Sequence, residues 1–450
     1  VVPDLPERLR IAFLAYRGNP HSGGQGVYTR RLTAELVALG HEPVVFGGPP
    51  YPELEPGVRL VRLPSLDLYR EPDPFRIPRP SEIRGLADLV EVGIMCTGGF
   101  PEPLTFSWRA RRALLGLRDR FDLVHDNQCL ASGLLGIMAD GWPLLGTIHH
   151  PITVDRSLEL AHATSLRRRF GVWRWYGFVR MQRRVARRLP LVVTVSAASA
   201  DDIVAQMGVE RDRIGVVPVG VDHEVFRPVP GVARKPGRVM TTASADVALK
   251  GLVPLLEAIA LVRRRRPDVE LVVVGKLRDG SPTAGVLRRL GLADVVRFVA
   301  DVPEEALVRL YSEASVAVVP SLYEGFSLPA IEAMACGTPL VATTGGALPE
   351  VAGDDGRAAL LAPPGDPGEL AERIVLVLDH PELAGRLGEA GRRRVLERFT
   401  WRATAEGTVA LYRRLLEDAR LAQVSPRQAT RPLPGDPGEG DKGLDRAATA

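Results

Sequence analysis

Strand-like and helix-like stretches alternate along almost the whole of this chain, and the alternation breaks once and then starts again. Short apolar runs separated by stretches of helical period build βαβ units. Such units give parallel sheets with helices on both faces. In the first half the strand candidates are Ile11–Ala15, Pro43–Phe46, Val58–Leu63, Leu123–His125, Leu144–Ile148 and Leu191–Val195. Helical stretches include Val27–Leu39, Phe106–Arg120 and a long one ending near Leu189. The break falls at Pro218–Asp222 and Arg227–Gly237, rich in Pro and Gly as interdomain linkers are. Strand candidates then resume at Arg238–Ala243, Leu271–Gly275, Val296–Val299, Val316–Val319 and Leu340–Thr343. The pattern predicts two doubly wound α/β domains, residues 1–218 and 238–400, joined by a linker at 219–237. They face a cleft, with ligand at the carboxyl ends of the strands. A chain of 450 residues has room for both cores. Residues 401–421 read as one more helix, and 424–450, without periodicity, as a disordered tail.

Composition narrows the class. A hydrophobic share of 45% with 25% charged residues is that of an ordinary globular protein. No apolar run reaches the length of about eighteen residues that a spanning helix needs. The stretch Val1–Arg10 lacks the basic-then-apolar layout of a signal peptide. Cys96, Cys129 and Cys336 are far apart and form no C-x-x-C pair, so they read as buried small hydrophobes in a reducing cytoplasm. The net charge of +4 is mild, but residues 166–188 are densely basic, with tryptophans among the arginines. An amphipathic helix with a solvated arginine face is the favoured reading there. Peripheral contact with anionic lipid at the inner membrane face is the second. Nucleic acid is the weakest, because no recognition motif accompanies the charge.

The chemistry concentrates in Ser321–Leu340, where Glu324 and Glu332 stand eight residues apart. An apolar strand, Val316–Val319, runs into a loop and then a helix from Leu328 to Ala335. Pro329 suits the first helical turn, Ser327 the N-cap and Gly337 the residue past the end. The amides of Phe326, Ser327 and Leu328 then point from a helix N-terminus, which favours an anion. Two carboxylates beside such a nest suit a ligand with both hydroxyls and phosphates. The glycine-rich stretch after the first strand, Arg17–Thr29, offers a second backbone approach to phosphate. It lacks the third glycine of a dinucleotide fingerprint, and Phe46–Pro50 lacks the acidic residue that holds a cofactor ribose. A nicotinamide enzyme is therefore disfavoured. His149 and His150 follow a strand at its carboxyl end. Adjacent histidines share one metal poorly and no third ligand has suitable spacing, so no metal is expected.

The Glu-x7-Glu stretch, with Gly-Phe-Ser-Leu-Pro and Ala-Cys-Gly-Thr-Pro around it, resembles the signature of retaining glycosyltransferases of family 4, which have the two-domain GT-B fold of Rossmann-like units. The resemblance runs from Ile11 to about Leu421. It implies transfer of a sugar from a nucleotide-diphosphate sugar, which is a substrate, to an acceptor held on the first-domain side, with no metal or cofactor. Glu324 would contact the donor sugar and Glu332 the ribose hydroxyls. Gly23 and Gly24 would lie against the diphosphate. His149 would reach the 6-position side of the sugar, with His150 the weaker candidate. Lys250 would help neutralise the leaving diphosphate. The family's arginine before that lysine is replaced by Ser244, and Lys276 or Arg278 could substitute for it. The final helix would brace the first domain. Two rivals remain: a nucleotide-sugar isomerase or phosphorylase of the same fold, and a non-catalytic nucleotide-sugar-binding protein.

Overall fold

The computed structural model describes residues 5–18, 24–70, 73–163, 165–243, 247–278 and 280–424. Residues 425–450 of the expected tail and the loop positions Gly23 and Ser244 lie outside them. The first sheet contains β1 (Arg10–Ala15), β2 (Glu42–Gly47), β3 (Arg59–Arg62), β4 (Leu123–Asn127), β5 (Leu144–Thr147), β6 (Leu191–Thr194) and β7 (Ile214–Val216). Its order is β3-β2-β1-β4-β5-β6-β7. The second contains β8 (Lys235–Thr242), β9 (Glu270–Val274), β10 (Val296–Val299), β11 (Ala314–Val319), β12 (Leu340–Thr343) and β13 (Leu360–Ala362), ordered β10-β9-β8-β11-β12-β13. Every strand pairing is parallel; in the first sheet Phe13 stands between Val45 and His125. Central strands such as β1, β4 and β6 are buried nearly throughout, as parallel sheets covered on both faces require.

In each sheet the strand order reverses once, between β1 and β4 and between β8 and β11. Loops diverge at those switch points, and the crevices open there. The two Rossmann-like domains and the parallel α/β class are thus present. β7 and β13, three residues each, carry too little pattern to have been foreseen. β8 opens at Lys235, inside the stretch expected to be linker. The long helix expected to end near Leu189 is instead Leu166–Trp175, a 3-10 turn at Tyr176–Phe178 and a separate helix Val179–Ala186. Cys129 and Cys336 are buried, but Cys96, at the end of the helix Leu86–Cys96, is exposed.

The helix Trp401–Val424 returns from the second domain to the first. Trp401 packs edge-on against Tyr28, and Thr404 donates to the carbonyl of Pro218 at 2.9 Å. The buried Tyr412 hydroxyl meets Nδ1 of His125 at 2.5 Å, while Nε2 of His125 meets Thr147 at 2.6 Å. Burial pushes the His125 imidazole down to about 3, so the ring is neutral and both hydroxyls serve it as partners.

Candidate active site

Two loop turns put the chemistry of the second domain in place. The 3-10 turn Ala248–Lys250 ends at Gly251, whose φ is +65°. A Cβ there would lie 1.9 Å from the carbonyl oxygen of Pro320, so only glycine lets this turn pack against the end of β11. Leu322 N–H donates to Leu249 O at 2.8 Å and ties the two loops together. Lys250 Nζ is thereby brought 2.8 Å from Glu324 Oε1, which also accepts from Ser321 Oγ at 2.7 Å. Glu324 is 8% exposed. Its carboxylate leaves water with a cation and a hydroxyl on one oxygen, and the other oxygen can accept from a ligand.

The helix Leu328–Ala335 carries Pro329 in its first turn and is followed by Gly337 at φ +67°. Ser327 occupies the N-cap position, but its side chain does not cap. Instead it adopts φ 110°, ψ 90°, and its buried Oγ has no hydrogen-bond partner. A non-glycine residue held there stores roughly 1–3 kcal/mol of strain, and an unmet buried hydroxyl adds to the cost. Both features are expected where a ligand supplies the missing partner. Phe326 is fixed by an edge-on contact with Phe399, ring centres 5.7 Å apart. Glu332 sits in the second turn. Its Oε2 accepts from the Tyr311 hydroxyl at 3.2 Å, and Tyr311 also meets Thr242 at 3.0 Å. Burial pushes the Glu332 carboxyl up to about 7, against the lowering influence of the Tyr311 bond.

The first domain contributes the opposite wall. His149 Nε2 meets Asn127 Oδ1 at 2.9 Å, and Asn127 in turn donates to Thr29 Oγ1 at 3.1 Å. This chain orients the asparagine so that Nε2 of His149 carries the proton and Nδ1 is the acceptor. The ring packs against Tyr28, centres 4.7 Å apart, and burial pushes its pKa down to about 3. His149 is therefore neutral at working pH.

A cavity of about 350 Å³ lies between the walls. Gly24, Gln25, Tyr28, Gln128, His149 and His150 line it from one domain, and Lys250, Glu324, Phe326, Ser327 and Leu328 from the other. Gly24 opens the helix Gly24–Ala38 with free space where a Cβ would stand. Most of the expected site residues thus converge on one hollow. Glu332 is on the same helix as the lining residue Leu328 but does not itself line the cavity. Lys276 and Arg278 do not line the cavity, and Lys276 is paired with the exposed Asp301 at 3.1 Å. Among the described residues, no group of three His, Cys, Asp or Glu could hold a metal. Larger hollows of about 890 Å³ beside Trp108 and about 580 Å³ beside Arg392 lie away from the cleft and contain none of the expected residues. Tyr311, Asn127 and Ser321 were not foreseen. Ser321 stands three residues from Glu324 within the motif itself; the other two come from distant segments.

Comparison with known proteins places the chain among glycosyltransferases. Residues 22–225 match the model for Glycosyltransferase Family 4, and residues 230–394 that for Glycosyl transferases group 1. The chain is 53% identical to an MMP alpha-(1->4)-mannosyltransferase from Mycolicibacterium hassiacum, over 92% of this chain and 100% of that one. It is 30% identical to D-inositol 3-phosphate glycosyltransferase 2 of Catenulispora acidiphila, over 91% and 96% of the two chains. Among solved structures it resembles sucrose-phosphate synthase from Thermosynechococcus elongatus, with a TM-score of 0.67, 26% identity and coverage of 91% and 100%.

Proposed function

The chain belongs to glycosyltransferase family 4 and has its GT-B fold, and on that premise we propose that it transfers a mannosyl residue, with retention, from a nucleoside-diphosphate mannose to a glycan end through an α-(1→4) link. Glycosyltransfer follows from the family; the sugar and the linkage rest on the relative at 53% identity over its full length. The observation that carries the reading is the Lys250–Glu324 pair at 2.8 Å, set on the cavity wall beside the buried, unpartnered Ser327 hydroxyl.

In this reading the diphosphate lies against the amides at 326–328, where the helix dipole favours it. Lys250 moves toward the phosphate oxygens and supplies charge as the glycosidic bond breaks. Glu324 holds sugar hydroxyls through the oxygen its two partners leave open. Nδ1 of neutral His149 accepts from a hydroxyl on the opposite side of the sugar. Glu332 receives the ribose hydroxyls. The acceptor hydroxyl attacks from the face that the diphosphate leaves, and a phosphate oxygen takes its proton. No metal is required, so chelation with EDTA should leave the rate unchanged.

Proton NMR of early product from nucleoside-diphosphate mannose and an α-mannoside acceptor tests the proposal. An α-anomeric product is expected, and a β product would end the retaining mechanism. Epimerised or phosphorolysed donor without transfer would favour the isomerase or phosphorylase reading, and binding without turnover the non-catalytic one.

A second proposal concerns location. Leu166, Phe170 and Trp173 are 87%, 64% and 47% exposed, beside exposed Arg167, Arg168 and Arg169. Apolar rings among arginines suit a peripheral site on an anionic inner membrane face. Among the described residues no helix is long and apolar enough to cross a membrane. Vesicles containing anionic lipid should sediment the protein and release it at high salt. Equal sedimentation with neutral vesicles would return the segment to a solvated helix face.

A further inference from the structure

We propose that Ser196, Ser199 and Glu350 form an interdomain clasp that positions the Glu324–Phe326 turn, so that the donor-side wall reaches its working geometry only when the two domains are closed. The inference rests on the glycosyltransfer reading. The Gly325 carbonyl, in the middle of that turn, accepts from two first-domain hydroxyls, Ser196 Oγ at 2.6 Å and Ser199 Oγ at 3.0 Å. Both serines are almost completely buried. Ser199 Oγ is also 3.4 Å from the carbonyl of His149, so one hydroxyl stands between the cavity's two walls. The fit is close at 325: a Cβ there would press on Ser199 Oγ at 3.2 Å and touch His150 Cβ at 3.4 Å.

A second set of bonds lies beside the first. Glu350, on the second-domain helix Leu348–Ala352, accepts from the backbone N–H groups of Ala197 and Ala198 at 2.8 Å each. These two residues lie between the two serines. Tyr323 donates to Asp202 at the far end of the same short helix. The first-domain segment 196–202 is thus held on both sides of residue 325 by groups of the second domain. When the domains part, water can serve every one of these groups, so the clasp adds little to overall stability. Its effect is on geometry. The Gly325 peptide joins Glu324 to Phe326, and fixing its carbonyl fixes the direction in which the Glu324 carboxylate and the following amides point. These are positioning residues, since none of them is required to touch the substrate.

The test uses the whole chain and four single variants: Ser199→Ala, Glu350→Gln, Ser196→Ala and Ser196→Thr. Ser196 also caps its helix by accepting from Ser199 N–H at 3.0 Å, so its alanine variant loses stability as well, while threonine keeps both bonds. Ser199→Ala and Glu350→Gln should each lower kcat about three- to tenfold, as loss of one or two net hydrogen bonds in the closed state implies. Donor KM and Tm should stay close to wild type, and Ser196→Thr should recover most of the kcat that Ser196→Ala loses. Amide hydrogen exchange over 322–328 should quicken in Ser199→Ala with the rest of the second domain unchanged. Unchanged exchange there, or a loss of kcat that only follows a general fall in Tm, would overturn the clasp. If the wild type binds a nucleotide-sugar but transfers nothing, the glycosyltransfer reading fails instead, and the exchange measurement still decides the clasp.

Discussion

Glu324 and Glu332 rise from the same strand–loop–helix unit, yet their charges are met in different ways. Glu324 lies in the loop with Lys250 and Ser321 on one oxygen. Glu332 lies inside the helix with only a tyrosine hydroxyl, and among the described residues no ion pair reaches it. Its carboxyl accordingly rises to about 7. The first is a carboxylate fixed in advance beside its cation, suited to a step in which charge moves. The second gains a partner only when a ligand brings one, which suits binding. Catalysis and affinity can then be separated by mutation, although the two residues are eight positions apart.

The largest effect should come from the cation on the Glu324 side. Lys250→Ala removes the positive charge nearest the leaving diphosphate and should cost ~10²–10³ in kcat, the usual loss for one such donor in a water-poor cleft. Lys276, paired with Asp301 and outside the cavity, should not replace it. Lys250→Arg should restore only part, because a planar fork does not reproduce a compact ammonium. Steady-state kinetics at saturating donor checks this, and near-wild-type turnover in Lys250→Ala would place charge neutralisation elsewhere.

The next effect separates the two carboxylates directly. Glu332→Ala should weaken nucleotide binding by roughly 1.5–3 kcal/mol, the value of hydrogen bonds to a charged acceptor, with a smaller change in kcat. Glu324→Ala should do the reverse, lowering kcat with little change in nucleotide affinity. Calorimetric titration with the nucleoside diphosphate, beside turnover assays, gives both numbers for each variant. Equal changes in both would erase the distinction.

A third effect follows from titration. Glu332 has a folded pKa near 7, above the ordinary carboxyl value of 4.5. Ribose hydroxyls donate best to the ionised form, so nucleotide affinity should fall as pH drops from 8 to 6 and proton uptake competes. Binding should release protons near pH 7. Stability has the opposite sign: between 4.5 and 7 the folded state holds the extra proton, so Glu332 makes unfolding easier as pH rises. Affinity measured in buffers of different ionisation enthalpy tests the proton count, and Glu332→Gln should abolish the pH limb.

How far this could be read from the chain differs between the walls. The second-domain wall is almost contiguous: the apolar run of β11, the loop, Pro329 and Gly337 each mark a backbone state, so strand, nest and helix are legible together. The fold was legible for the same reason, because buried parallel strands repeat the same apolar signal. The first-domain wall is assembled from the ends of β1, β4 and β5, and Asn127, which sets the His149 tautomer, carries no pattern linking it to Thr29 or to the histidine. The Ser327 side chain departed from its expected capping role because the backbone there is left-handed, which a serine does not announce. The clasp depends on how one domain sits on the other, and no local periodicity records that.

The smallest effect tests the support behind Glu332 and not the carboxylate itself. Tyr311→Phe removes one hydroxyl from a ring that is 1% exposed and changes the packing volume little. Glu332 loses the bond at 3.2 Å, and Thr242 loses its partner at 3.0 Å but is only partly buried and can turn to water. The bond supports Glu332 in the free and the liganded protein alike, so most of its worth cancels and nucleotide affinity should fall by less than about tenfold. The sign of the pH effect is more telling than its size. The Tyr311 bond lowers the Glu332 pKa, so removing it should move the affinity limb to higher pH. Ser321→Ala, the matching loss on the Glu324 side, should leave that limb where it was, because the Ser321 hydroxyl bonds to Glu324 and not to Glu332. A limb that stays in place in Tyr311→Phe, or one that moves in Ser321→Ala, would show that the two carboxylates share a single electrostatic environment after all.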